Sequence, residues 1–144
     1  MTREVIVVSP EMSLADAWST MQREHIRHLP VLRAGALVGM LSDRDVLVRA
    51  SIDRAGRITV DAKDVVGVAM TPAPFVCGAT TPVDEIVGVM IDKKIDAVPV
   101  VSQSNHLLGL VTTTDLLQLL RGRDGEPRKL PFEFKIHEVA LPQA

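Results

Sequence analysis

The sequence predicts a mixed α/β protein of the α+β kind: one β-α-β-β-α unit occurs twice, the copies pack by pseudo-twofold symmetry into one module, and a C-terminal extension follows. Three observations carry this. The phrase GMLSDRDVL at 39–47 returns as GLVTTTDLL at 109–117, and an internal repeat bounds the architecture before any other signal. With an offset of 69, Met1–Thr2 fall on Met70–Thr71, Val7 on Val76, Met21 on Met90, Ile26 on Ile95 and HLPV (28–31) on AVPV (97–100). One extra residue in the second copy then makes the offset 70, and Leu37, Gly39, Asp45 and Leu47 meet Leu107, Gly109, Asp115 and Leu117. The slip falls between RAGA and SQSNH, both turn-like, where insertions are tolerated. The copies therefore run over 1–52 and 70–122, with a linker at 53–69 and a tail at 123–144.

Each copy opens with a short β-branched or aromatic stretch, VIVVS or PFVCG, predicted as a strand. A helix follows: Leu14, Ala17, Trp18 and Met21, like Val83, Ile86, Val87 and Met90, fall at i, i+3, i+4, i+7. Ser13 and Thr81 are the expected N-caps, each with Asp three residues later, and Pro82 suits a first helical turn. LPVL and VPVV are predicted strands, each turning back into a second, ALVGML or LLGLV, as a hairpin. A last helix starts at Ser42 or Thr112 and carries Val46 and Leu47, or Leu116, Leu117, Leu119 and Leu120; the second ends at Arg121–Gly122, a typical C-cap. A three-stranded sheet with two helices buries little alone, so the copies are expected to face each other across one core. In the linker, DVVGVAM reads as a short lead-in helix to the second copy. In the tail, Phe132, Phe134 and Ile136 alternate with Glu133, Lys135 and His137, which suits an edge strand or a partner-binding arm as well as a loosely ordered end.

Composition narrows the function. The 144 residues are 47 % hydrophobic with a mean hydropathy of +0.21, which excludes a disordered chain. Sixteen basic and eighteen acidic residues give a net charge of −2, without the basic excess of a dedicated nucleic-acid binder. Arg23, Arg27, Arg33, Arg44, Arg49, Arg54 and Arg57 crowd the first half, yet nine acidic residues share 1–72 with nine basic ones, a solvated mixed-charge face. No apolar run reaches the roughly 18 residues of a membrane span, and MTREVIVVSP has no signal-peptide pattern. The single Cys77 excludes an internal disulfide and fits a reducing compartment, so the cytoplasm is expected. The first copy lacks the lead-in that DVVGVA gives the second, which leaves open that the chain is a fragment of a larger protein.

The repeated Ser/Thr-x-x-Asp phrase is first of all a capping box. The same geometry also suits a nucleoside phosphate. A helix start offers free N–H groups and partial positive charge to a phosphate. The hydroxyl adds a donor, and a carboxylate one turn in takes both hydroxyls of a ribose diol. Two copies about a pseudo-twofold axis give two such places on a shared cleft. Capping and binding are compatible.

The repeated HLPVL…LVGMLSDRDVL and AVPVV…LLGLVTTTDLL, with VGVAMTPAPFVCGATTPVDEIVGVM between them, resemble a tandem pair of CBS domains, a Bateman module, over residues 1–122. The resemblance implies clefts that bind AMP, ADP, ATP or S-adenosylmethionine, a regulatory role that transmits ligand state to an enzyme or transporter, and a disc-like homodimer. Position by position, Asp45 and Asp115 match the ribose-binding aspartate, and Ser42 and Thr112 the phosphate-side hydroxyl. Arg44 and Thr114 lie near phosphates in some members. Ile6 and Phe75 match positions that wall the adenine, and His28 and Ala97 positions lining the pocket. Arg27 with His28 stands where some members place a phosphate-contacting basic pair, in the reverse order.

The copies differ in charge. The first supplies Arg27, His28 and Arg44, the second Asp96 and neutral Thr113 and Thr114. A carboxylate repels a polyphosphate unless a metal bridges them, so magnesium is a candidate companion of the ligand and the two sites are expected to be unequal. No residue set is expected to be catalytic and no cofactor is required. Cys77 sits in an apolar strand as an inert thiol. His25 and His28 lack the further ligands of a zinc pattern, and there is no phosphate-loop signature. The alternative function is a non-catalytic scaffold that keeps the fold and has lost nucleotide binding; the presence of both aspartates and both hydroxyls weighs against it.

Overall fold

A computed structural model describes residues 4–121 together with Lys135 and His137. The expected tail strand over Phe132, Phe134 and Ile136, the C-cap at Gly122, and Met1–Thr2 lie outside the described residues.

The first copy contains α1 (Leu14–Glu24), β1 (His28–Arg33), β2 (Ala36–Ser42) and α2 (Asp43–Arg49). The first copy ends in β3 (Ser51–Ile52), and the linker holds β4 (Ile58–Thr59) and α3 (Val66–Ala69). The second copy contains β5 (Thr71–Pro72), α4 (Val83–Lys93), β6 (Ala97–Val101), β7 (Leu107–Thr112) and α5 (Thr113–Arg121). Strands β1 and β2 pair antiparallel, with Val31 opposite Gly39, and β6 and β7 do likewise, with Val100 opposite Gly109. The first hairpin turns on Ala34 and Gly35, both at positive φ (50° and 80°), as a two-residue turn matched to strand twist requires. The second turns through 102–106, which absorbs the extra residue. The tips meet: Leu37 N–H donates to the Asn105 carbonyl at 3.1 Å, and Asn105 Nδ2 donates to the Leu37 carbonyl at 2.9 Å.

Strand β5 extends the first sheet in the order β1-β2-β5. Gly39 permits this approach, since a Cβ there would come within 2.5 Å of Met70 Sδ and 3.0 Å of the Thr71 carbonyl oxygen.

The two opening strands shrink to single parallel bridges, Val8 to Val31 and Cys77 to Val100. Prolines cut the ladders. Val8 N–H donates to the Pro30 carbonyl and Leu32 N–H to the Val8 carbonyl; the next bond on either side would need an N–H from Pro10 or Pro30, and neither has one. Pro99 has the same effect beside Cys77.

Helix α1 starts as expected, with Ser13 Oγ accepting from Asp16 N–H at 3.0 Å. Helix α4 does not start from Thr81. The Thr81 hydroxyl is engaged by the Gly78 N–H at 2.9 Å, Pro82 is extended (φ −58°, ψ 143°), and the helix begins at Val83 without a side-chain cap.

The interior is two clusters rather than one face-to-face core. Val8, Leu14, Ala17, Met21, Leu29, Val31, Leu41, Val46 and Val66 form the first. Cys77, Ile86, Met90, Val98 and Val100 form the smaller second. The lead-in helix α3 belongs to the first, where Val66 is fully buried. The polar start of the linker folds as the β3–β4 ribbon around Asp53, whose carboxylate accepts from the N–H groups of Ala55 and Arg57 and from Arg57 Nε. The Arg57 backbone bond leads the causes that hold its pKa below the ordinary range.

Candidate functional site

The hydroxyl and the carboxylate of each repeated phrase meet at a helix start. In the first copy Asp45 N–H donates to Ser42 Oγ at 3.1 Å and Ser42 N–H donates to Asp45 Oδ2 at 2.8 Å, a complete capping box. In the second, Thr112 N–H and Thr112 Oγ1 donate to Asp115 Oδ2 at 2.8 and 3.0 Å, and Asp115 N–H donates to Thr112 Oγ1 at 3.3 Å. The capping reading holds in both copies.

A second device sets the facing wall. Helices α1 and α4 end on left-handed residues at equivalent positions, His25 (φ 54°) and Lys94 (φ 54°). This conformation is costly for a residue with a Cβ and turns the chain sharply out of the helix. The loops that follow are tied to the next helix start: Asp43 N–H donates to the Arg27 carbonyl and Thr113 N–H to the Asp96 carbonyl, both at 2.9 Å. Arg27 and His28, and their counterparts Asp96 and Ala97, are thus held beside the capping residues.

Two clefts result, each built from both copies. The Asp45 cleft has a volume of about 530 Å³ and joins Ser42, Asp43, Arg44 and Asp45 to Thr71, Phe75, Lys93, Lys94 and Ile95 of the second copy. The Asp115 cleft, about 290 Å³, joins Thr112, Thr114 and Asp115 to Glu4, Ile6 and His25 of the first. Arg27, His28 and Asp96 line both clefts. Every expected site residue except Ala97 lines a cleft; Ala97 is buried in β6.

The charges differ sharply. The Asp45 cleft gathers Arg27, Arg44, Lys93 and Lys94 against Asp43, Asp45 and Asp96. The Asp115 cleft has Arg27 against Glu4, Asp96 and Asp115, with His25 and His28. The basic residues therefore do not sort by copy, since Arg44 faces a wall from the second copy and Arg27 serves both clefts. Lys93 and Lys94 escaped the sequence reading. Their signal was the repeat itself, which places Lys94 on His25.

Phe75 is 51 % exposed, with Lys93 Nζ 5.2 Å from its ring centroid. Half-buried His28 has its pKa lowered from 6.5, chiefly by burial, against the raising effects of Asp96, Asp43 and Asp45. Burial also pushes the Cys77 thiol up, away from a reactive thiolate. Among the described residues no group of three or more His, Cys, Asp or Glu is placed to hold a metal, and no helix is long and apolar enough to cross a membrane.

Two copies of one unit enclosing paired polar clefts define a duplicated cleft-forming module. A family model, CBS domain, matches residues 1–51 and 62–122, and the chain belongs to that family as a tandem CBS pair. It is 38 % identical over 114 residues to an inosine-5'-monophosphate dehydrogenase of Korarchaeum cryptofilum, a match covering 79 % of this chain and 22 % of the enzyme. It is 31 % identical over 116 residues to the CBS domain-containing protein YhcV of Bacillus subtilis, covering 81 % of this chain and 79 % of that protein. The CBS domain pair of protein MJ0100, solved with 5'-methylthioadenosine and S-adenosyl-L-methionine, matches with a TM-score of 0.72 at 25 % identity, over 85 % of this chain and 92 % of that one. CBSX2, solved with AMP, matches with a TM-score of 0.70 at 26 % identity, over 83 % and 89 %.

Proposed function

We propose that this protein is a regulatory module that binds an adenosine compound in the clefts between its repeats and passes the ligand state to a partner protein. The observation that carries the reading is the pairing, in each cleft, of a capped hydroxyl–carboxylate helix start from one copy with a facing wall from the other. Asp45 and Asp115 take the ribose diol, Ser42 and Thr112 with the helix N–H groups take the first phosphate or its equivalent, and Phe75 and Ile6 wall the base. The adenosine ligands of the MJ0100 pair and CBSX2 support the choice of base.

The two clefts differ in preference. Arg44, Lys93 and Lys94 suit the Asp45 cleft to a phosphorylated nucleotide, Arg being able to grip phosphate bidentately. The acidic Asp115 cleft suits a ligand with less negative charge, such as S-adenosylmethionine or 5'-methylthioadenosine, or a nucleotide whose phosphates carry magnesium. The protein acts in the cytoplasm as a homodimer. Val83, Ile91, Leu117 and Leu120 on α4 and α5 are 45–68 % exposed beside an apolar groove of about 450 Å³, a face suited to a second copy.

The test is thermal unfolding of the full chain with AMP, ADP, ATP, S-adenosylmethionine and 5'-methylthioadenosine, with and without magnesium, on wild type, Asp45→Asn and Asp115→Asn. A ligand at about 100 times its dissociation constant adds roughly 2.7 kcal/mol. AMP or ATP should raise the midpoint in wild type and Asp115→Asn and lose most of that shift in Asp45→Asn. No shift with any compound would leave the scaffold reading in its place.

A further inference from the structure

In the first copy, the space between the 9–12 turn, the start of α1 and the inner side of α2 is filled by the lead-in to the second copy. Leu14 N–H donates to the Asp64 carbonyl at 2.8 Å, Val66 N–H to the Met12 carbonyl and Gly67 N–H to the Pro10 carbonyl, both at 2.9 Å. The Val66 side chain is fully buried there. Arg49, at the end of α2, closes over it with Nε 3.5 Å from Asp64 Oδ2. The second copy has the same place. A groove of about 370 Å³ is lined by Cys77, Ala79, Val83, Ile86, Val100 and Leu116, the counterparts of Val8, Pro10, Leu14, Ala17, Val31 and Val46.

We propose that the C-terminal segment 130–141 of this same chain fills that groove as a further lead-in, with Ile136 in the place that Val66 takes in the first copy. Carrying the offset of 70 onward sets Leu130 on Val60, Phe134 on Asp64, Ile136 on Val66, Glu138 on Val68 and Val139 on Ala69. Val60, Val66 and Ala69 pack in or against the first core, and all three counterparts are apolar. Val68 is 54 % exposed, and its counterpart is charged. The ion pair is the sharpest sign. Arg49 and Asp64 become Leu119 and Phe134, so both partners change together from opposite charges to apolar side chains, and Leu119 lines the groove. Lys135 and His137, on either side of Ile136, are exposed.

Reach is no obstacle. Helix α5 borders the groove and ends at Arg121, and the chain from there to Ile136 spans up to about 50 Å when extended. One position fits less well. His137 falls on Gly67, where an added Cβ would stand 3.3 Å from the Pro10 carbonyl oxygen; the second copy has Ala79 in the place of Pro10.

The experiment uses the full chain and compares wild type, Ile136→Asp, Phe134→Asp and the double variant Leu119→Arg/Phe134→Asp, at two protein concentrations about tenfold apart so that an intermolecular occupant separates by mass action. Two readouts are followed: the thermal midpoint and the alkylation rate of Cys77, the chain's one cysteine and part of the groove wall. Each single variant should lower the midpoint by several degrees and speed alkylation several-fold, equally at both concentrations. The double variant, which rebuilds the Arg49–Asp64 pairing, should recover most of both. Unchanged readouts in the single variants, no recovery in the double, or an effect that depends on protein concentration would each overturn the proposal, the last by making a second copy the occupant.

Discussion

Ser42 and Asp45 cap each other: the backbone N–H of each donates to the side chain of the other, at 2.8 Å from Ser42 to Asp45 Oδ2 and 3.1 Å from Asp45 to Ser42 Oγ. The pair that presents a hydroxyl and a carboxylate to the cleft is therefore also what starts a seven-residue helix. Replacing Ser42 by Ala should cost about 1 kcal/mol of stability, which for a domain of this size lowers the unfolding midpoint by about 2–4 °C. Asp45→Asn keeps an acceptor for the Ser42 N–H and should cost less. In ligand titrations the order should reverse, with Asp45→Asn losing more affinity than Ser42→Ala, because a neutral amide grips a ribose diol less well than a carboxylate. Equal losses in both assays would make the aspartate a cap and nothing more.

Lys93 sits over the ring of Phe75, 5.2 Å from its centroid. At an exposed site this contact is worth about 0.5–1 kcal/mol, little enough for an incoming base to displace. The displaced ammonium stays in the Asp45 cleft, where a phosphate gives it a new partner. Phe75→Ala should weaken every adenosine ligand of that cleft alike, whereas Lys93→Ala should weaken ATP more than adenosine. A Lys93→Ala variant that binds both at wild-type strength would remove the lysine from the site. Isothermal titration calorimetry at two salt concentrations checks the charge component, which should shrink with salt.

The duplication and the hydroxyl–carboxylate pairs were legible because each is a local pattern seen twice. Ser42 and Thr112 cap helices where the spacing puts them. The opening strands were not legible, because the ladder is broken by Pro10 and by Pro30, a residue of the neighbouring strand. Thr81 read as an N-cap, yet its hydroxyl is taken within the turn by Gly78 N–H, a competition no spacing rule reveals. The clefts were half legible. Asp45 and Phe75 were each singled out, but that they face each other across the copies is a property of packing, as is the presence of Lys93 and Lys94.

Arg27 lines both clefts, as do His28 and Asp96. One guanidinium cannot serve two phosphates at full strength, so the sites should compete for it. Arg27→Ala is expected to weaken nucleotide in the Asp45 cleft and to relieve any antagonism between ligands in the two clefts. The check is a calorimetric titration of AMP into ligand-free wild type, Arg27→Ala and Asp115→Asn, and again into each after saturation with 5'-methylthioadenosine. Independent, identical sites in wild type would contradict both the sharing and the charge difference between the clefts.

His28 sets the pH dependence. Burial lowers its pKa from 6.5, only partly offset by Asp96, Asp43 and Asp45, while Arg27 adds to the lowering. Between the folded value and 6.5 the unfolded chain binds more protons than the folded one, so stability rises with pH across that window. The contribution is complete above the unfolded value and is lost as pH falls below it toward the folded value. The midpoint of wild type should fall on acidification from about pH 7.5 to about pH 5.5 more steeply than that of His28→Gln. A bound phosphate has the opposite effect on the ring, since an anion beside it favours the imidazolium. Nucleotide binding should then take up protons and tighten over the same interval in which the free protein weakens, and His28→Gln should flatten that gain. Parallel pH profiles of affinity for wild type and His28→Gln would show that no phosphate reaches the ring.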